Sequence, residues 1–117
     1  MALLVIDTTG TDCSVALRAA GQPDLCRTDA IGRGHAEHLA PMVAALLEQA
    51  GLAAAPLSRI GVTTGPGSLA GSRVGVAFAR GLALAAGAEA VGIGNLAVLA
   101  RSSGCAGPLA VLHDAKR

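Results

Sequence analysis

The sequence predicts an α/β domain, a mixed β-sheet flanked by helices. Three observations point to it. Residues 3–30 form short apolar runs split by tight polar turns, the pattern of antiparallel hairpins. From about His35 the apolar positions recur at helical spacing instead. After that point strands and helices alternate, as they do where parallel strands are joined by crossover helices.

Each element follows from local chemistry. Leu3-Leu4-Val5-Ile6-Asp7 is a continuous apolar run ending in an acid, as expected of a buried central strand. Thr8-Thr9-Gly10-Thr11-Asp12 is a turn built of residues that bond their own backbone, and Cys13 to Ala19 reads as the second strand. Gly21-Gln22-Pro23 turns the chain into a weaker third strand, Asp24 to Ala30. Gly32-Arg33-Gly34 breaks the pattern. Leu39, Met42, Val43, Leu46 and Leu47 then mark a helix from about His35 to Ala50, stopped by Gly51. Arg59 to Thr63 is a strand, Ser68 to about Ala86 a helix and Ala90 to Ile93 a strand. Asn95 can cap a helix running to Ser103, and Leu109 to His113 is a last strand. The order β-β-β-α-β-α-β-α-β is that of ribonuclease-H-like domains, shared by actin-like (ASKHA) and sugar-kinase domains.

Composition narrows the function classes. The chain has 117 residues, enough to bury roughly two-thirds of the unfolded surface in one domain. Hydrophobic residues make up 52% but aromatics only 1%, Phe78 alone, so the core must be aliphatic and alanine-rich. The aromatic platforms on which single-stranded nucleic acids stack are missing. Nine Lys and Arg against eight Asp and Glu leave a formal charge of +1, with no basic field to hold a phosphate backbone. Cys13, Cys26 and Cys105 are odd in number and widely spaced, which suggests neither a disulfide framework nor a zinc ribbon. They are read as reduced, mostly buried thiols of a cytoplasmic protein. The N-terminus lacks the basic region of a signal peptide. Arg73, Arg80 and Glu89 interrupt the apolar half before it reaches spanning length, so no membrane association is expected.

Two segments carry the chemistry. Asp7-Thr8-Thr9-Gly10-Thr11 reads either as an anion-binding nest, in which hydroxyls and consecutive amides meet a phosphate, or as an Asx-type turn joining a hairpin. Gly65-Pro66-Gly67-Ser68 opens the long helix, and reads either as a phosphate cradle at a helix N-terminus or as a rigid packing corner. It fails the P-loop pattern, because Ala70 and Gly71 stand where that motif needs Gly and Lys. It matches G-x-G-x-x-A with Glu89 about 20 residues on, but the preceding hairpins do not suit a doubly wound fold. Gly71, Gly75, Ala79 and Ala83 share one helical stripe. That stripe lets another backbone come close, either this domain's own sheet or a partner subunit. His35 and His38 lack the H-E-x-x-H pattern, and a capping or surface role is favoured over metal binding. Ser14, Ser68 and Ser72 stand in no nucleophile motif.

Several of these segments together resemble the bacterial TsaB (formerly YeaZ) family of tRNA threonylcarbamoyladenosine biosynthesis proteins. They are Leu4-Val5-Ile6-Asp7-Thr8-Thr9 with Cys13-Ser14-Val15-Ala16, and His35-Ala36-Glu37-His38-Leu39 followed by Pro41-Met42. Gly65-Pro66-Gly67-Ser68 with Gly71, Arg73 and Gly75 is the most specific piece; Gly81-Leu82-Ala83-Leu84 and His113-Asp114-Ala115-Lys116 also fit. Leu69, Ala70 and Ser72 depart from the family's pattern, which has Phe, Thr and a larger apolar residue there. The resemblance implies that residues 1–107 are an actin-like first lobe and residues 108–117 the opening of a second one. It implies a non-catalytic scaffold, free of protease activity. Such a subunit dimerises with the TsaD-type transferase and, with a TsaE-type ATPase, supports threonylcarbamoyl transfer to the adenosine beside the tRNA anticodon. TsaD's metal-binding histidine pair does not map onto His35 and His38, whose spacing differs.

The expected partner interface is His35, Leu39, Met42, Val43, Leu46, Gly71, Arg73, Gly75 and Ala79, through which self-association is also open. On that reading Gly75 can be enlarged with loss of association and little change to the fold. The phosphate-like set is Asp7, Thr8, Thr9, Gly10, Thr11, Gly65, Gly67 and Ser68. No tightly bound cofactor or metal is expected, ATP enters only at the level of the complex, and tRNA is met only through it. The alternative is a small actin-like nucleotide-binding protein or phosphotransferase that uses the Asp7 turn and the Gly65 loop.

Overall fold

A computed structural model describes residues 2–30, 35–52, 57–67 and 69–102. Its elements run β1 (Ala2–Asp7), β2 (Asp12–Ala19), β3 (Leu25–Ala30), α1 (His35–Gln49), β4 (Leu57–Thr63), α2 (Leu69–Ala86), β5 (Glu89–Ile93) and α3 (Asn95–Ser102). The strands form one five-stranded sheet in the order β3-β2-β1-β4-β5. β2 pairs antiparallel with β1 and β3, while β1–β4 and β4–β5 are parallel. This is the ribonuclease-H-like, actin-like arrangement that the element order predicts. The break at 32–34 and the strand at 109–113 lie outside the described residues.

The topology dictates the layering. The β3-to-β4 and β4-to-β5 connections both step toward the β5 edge. Right-handed crossovers of that kind put both helices on one face of the sheet. That face carries Leu4 and Ile6 of β1, Val15 and Leu17 of β2, and Ile60 and Val62 of β4. Against them pack Leu39, Met42, Val43 and Leu46 of α1 and Ala79 and Ala83 of α2. An aliphatic, alanine-rich core is what a chain with one aromatic residue can build. β1 is central, as its apolar run predicts, but it is fully covered on only one face: Leu3 and Val5 are half-buried on the other.

Both long helices stop at a glycine for the same reason. Gly51 (φ 70°) and Gly87 (φ 67°) adopt the left-handed conformation that closes a helix. The amide of Leu52 then donates to the Leu47 carbonyl at 2.8 Å, and that of Ala88 to Ala83 at 2.9 Å. These bonds satisfy carbonyls that would otherwise have no partner at the helix ends.

Leu39, fully buried, and Leu84, 87% exposed, give a matched test of this layering. Leu39→Ala is expected to lower the unfolding free energy by about 2–5 kcal/mol, and Leu84→Ala to change it by no more than about 0.5 kcal/mol. Urea titration followed by circular dichroism measures both.

Candidate functional site

Three segments meet beyond the carboxyl ends of the parallel strands β1, β4 and β5: the Asp7–Thr9 turn, the Thr63–Gly67 loop, and Asn95 at the start of α3. In open α/β sheets this is where ligands bind. Here the polar groups bind one another. Oδ1 of Asp7 accepts from the Thr9 amide at 3.1 Å, from Thr9 Oγ1 at 2.7 Å and from Thr63 Oγ1 at 2.7 Å. The first of these is the Asx-type turn. Thr9 Oγ1 in turn accepts from Nδ2 of Asn95 at 2.6 Å. Asn95 Oδ1 accepts from the Gly65 amide at 3.0 Å, and the Asn95 amide donates to the Gly65 carbonyl at 2.9 Å. Asn95 therefore clasps the Gly65 loop with both its side chain and its backbone. Its side-chain oxygen is used there, rather than as the helix cap expected from its position.

The glycines are where two backbones touch. A Cβ on Gly67 would stand 2.5 Å from the Thr9 carbonyl oxygen. A Cβ on Gly75 would stand 2.5 Å from Thr8 Oγ1 and 3.3 Å from Val62. Thr8, fully buried, donates from its hydroxyl to the Gly71 carbonyl at 2.5 Å, tying the β1–β2 turn to the first turns of α2. The Gly65–Pro66 peptide is cis.

The phosphate-like set is thus divided. Asp7, Thr8 and Thr9 are held in internal hydrogen bonds together with Gly65, and Gly67 packs on Thr9. Gly10 and Thr11 lie exposed at the rim, and Ser68 is outside the described residues. Thr63 and Asn95 belong to the same network. Residue-by-residue motif reading missed Thr63 because it ends an apolar strand, and saw Asn95 only as a cap. The one legible signal was that polar residues end β1 and β4 and start α3 immediately after β5.

The residues proposed for a partner interface lie mostly inside the lobe. Leu39, Met42, Val43 and Leu46 are core residues of α1. Gly71, Gly75 and Ala79 are buried where α2 meets the sheet and the Asp7 turn. The His35 side chain is outside the described set, and Arg73 is exposed. The small-residue stripe therefore faces this chain's own sheet, and Gly75 cannot be enlarged without disturbing the fold. The outward surface of α2 is a second row: Ala70, Arg73, Ala77, Arg80, Gly81 and Leu84.

Among the described residues, no group of three His, Cys, Asp or Glu side chains is placed to hold a metal ion. No described helix is long and apolar enough to cross a membrane. Burial pushes the Cys13 thiol above its ordinary value of 9.0, with the charges of Asp29 and Asp7 adding to the effect.

A mixed 3-2-1-4-5 sheet with two helices on one face and a clasped turn and loop at its carboxyl end defines an actin-like lobe of ribonuclease-H-like topology. Known proteins agree. A family model described as TsaD: tRNA N6-adenosine threonylcarbamoyltransferase matches residues 29–117. The tRNA threonylcarbamoyladenosine biosynthesis protein TsaB of Escherichia coli is 33% identical over 103 residues, covering 88% of this chain and 44% of that protein. The tRNA N6-adenosine threonylcarbamoyltransferase of Erythrobacter litoralis is 44% identical over 71 residues, 61% of this chain and 21% of that protein. The YeaZ structure from Pseudomonas aeruginosa superposes with a TM-score of 0.81 at 37% identity, covering 87% of this chain and 47% of that one. Thermus thermophilus RuvC, at 12% identity and a TM-score of 0.52, shares the fold alone. The chain belongs to the TsaD family, and within it is TsaB/YeaZ-like. It spans less than half the length of these relatives.

Two measurements check the geometry. Gly75→Ala is expected to cost about 1–3 kcal/mol of stability through overpacking. Gly81→Ala, where a Cβ meets nothing within 4 Å, is expected to stabilise the exposed helix by about 0.5–1 kcal/mol. Thermal and urea unfolding read both. Alkylation of the native chain near pH 8, followed by peptide mass spectrometry, should modify exposed Cys26 at least ~10-fold faster than buried Cys13, whose thiolate is the reactive but disfavoured form. The Cys13 shift also has a sign for stability. The folded state holds the proton more tightly, so its contribution is intact below pH 9.0 and is lost as pH rises through the raised value.

Proposed function

We propose that this chain is a non-catalytic scaffold lobe in tRNA threonylcarbamoyladenosine formation. It pairs with a TsaD-type transferase, whose activity it supports together with a TsaE-type ATPase. Membership of the TsaD family and likeness to TsaB support the pathway. The observation that carries the scaffold reading is the clasp between the Asp7 turn and the Gly65 loop. Asp7 Oδ1, the Thr8 and Thr9 hydroxyls and the Gly65 amide, the groups a nucleotide phosphate or its metal would need, are engaged inside the lobe. A site that served a nucleotide here would first have to give up those bonds. Each costs about 1 kcal/mol or more when a buried partner is left unsatisfied.

On this reading the chain binds no nucleotide tightly by itself, and ATP enters at the level of the complex. With a formal charge of +1, it meets tRNA through the complex rather than by its own field. It acts in the cytoplasm, without proteolytic activity. The pairing surface is the outward row of α2 with the neighbouring outer face of α1, since the inward faces are spent on the core. The same surface is open to a second copy.

Size-exclusion chromatography with light scattering, on the full chain alone and mixed with the TsaD-type subunit, tests the pairing; a heterodimer is expected. Titration of the chain alone with a fluorescent ATP analogue tests the rest, with no saturable binding expected at micromolar concentration. Saturable binding that is lost in Asp7→Ala would establish the nucleotide-binding alternative instead.

A further inference from the structure

The two edges of the sheet are finished differently. The β3 edge carries Arg27 and Asp29, paired at 3.8 Å, and charges of that kind discourage a further strand. β5 carries only Glu89, at its first residue, and Arg59 of β4 holds that acid at 3.4 Å. The rest of the strand, Ala90-Val91-Gly92-Ile93, is uncharged, and residues 89–92 are all exposed. Its main chain has a definite direction. The Thr64 amide donates to the Ile93 carbonyl at 2.9 Å, so Ile93 turns its backbone groups toward β4. In a parallel ladder that direction alternates from residue to residue. Glu89 and Val91 therefore face β4 as well. The amides and carbonyls of Ala90 and Gly92 point out of the sheet, with no strand beside them among the described residues. Three of the four large apolar side chains that stand exposed, Val91, Leu96 and Val98, belong to this strand and to the helix that leaves it.

We infer that this edge pairs with the same edge of a second copy, β5 antiparallel to β5 about a two-fold axis at Val91, to make one continuous sheet. The register follows from the outward residues. With Val91 opposite its own counterpart, Ala90 of each copy stands opposite Gly92 of the other, and each such pair exchanges both its hydrogen bonds. The two valines then form a non-hydrogen-bonded pair, the closer kind, on the open face of the sheet. Each Glu89 lies opposite an Ile93, so no like charges meet. On the helix face, shared with Ile60 and Val62, stand only Ala90 and Gly92, which bring nothing bulkier than a methyl group to the joint. A foreign strand would meet the same amides and carbonyls, but a second copy supplies its own at this spacing and with an apolar partner for Val91. Pairing β5 with β3 would set Arg27 and Asp29 against an uncharged edge and would join copies head to tail without closing. The surface is separate from the outward row of α2, so the inference does not depend on pairing with a TsaD-type subunit.

Light scattering and sedimentation of the full chain, carried up to about 1 mM because so small a contact is of the weak class, are expected to show a reversible dimer. Ala90→Pro removes one outward amide from each copy, at an edge position where proline is tolerated, and Val91→Lys sets two like charges face to face. Each is expected to weaken the dimer by ~10-fold or more. Both side chains are exposed, so circular dichroism and melting should stay close to those of the unaltered chain. Val91→Cys in a chain that also carries Cys26→Ser and Cys105→Ser reads the register directly. Mild oxidation is expected to join two copies through residue 91, while Leu84→Cys in the same chain stays unjoined. A chain that remains monomeric over the whole range overturns the inference. So does a dimer indifferent to Ala90→Pro and Val91→Lys, or one that cross-links through residue 84 rather than 91, which would seat the second copy on α2.

Discussion

The approach of α2 to the turn after β1 sets the geometry of the whole carboxyl end of the sheet. Gly75 leaves space that the Thr8 hydroxyl fills, and that hydroxyl reaches the Gly71 carbonyl. The turn is then held against the helix. Once it is held, Thr9 stands where Asp7 can take its amide and hydroxyl, and Gly67 is the residue that can lie against the Thr9 carbonyl. Asn95 closes the set by bonding both Thr9 and Gly65. These contacts share partners, so the members of the joint should not contribute additively.

This joint also separates two meanings of a glycine-rich turn. Free amides and hydroxyls at a helix start attract anions; the same groups turned inward make a corner. Residue types do not distinguish the cases, because Asp, Thr and Gly serve both. The partners of the groups do. Asp7 Oδ1 receives three donors from within the chain, and the Thr8 side chain is fully enclosed. Among the described residues, Gly10, Thr11, Thr64, Pro66 and Gly67 remain exposed at this end.

Over the described residues the fold was legible in the sequence almost to the residue, because hydrophobic periodicity changes from strand to helix at His35 and both long helices end on a glycine. The site was less legible. Gly71, Gly75, Ala79 and Ala83 stand out as a stripe in any helical projection, but a stripe says only that something comes close. Here it is Thr8, Val62 and the sheet, which lie far away in sequence. The outward row is legible only in part. Arg73 belongs to the expected interface, whereas Arg80 looks like an ordinary solubilising charge; both are exposed. Asn95 likewise looks like a cap until the clasp is built.

A helix that is small or apolar all round must be accounted for on every side. The inner side of α2 is spent on the sheet, its flanks Val74, Phe78 and Leu82 on the edge of the core. The outer side has no such use within the described residues. Its cost in water is modest, since Ala77 and Gly81 expose little apolar area, and Leu84 is the one large side chain that gains nothing by being there. Arg73 and Arg80, both exposed, keep that face soluble. The face is therefore stable in water. The aliphatic composition serves the same end. Alanines and glycines allow helices to approach closely without the large exposed aromatic patch that would make the free lobe aggregate.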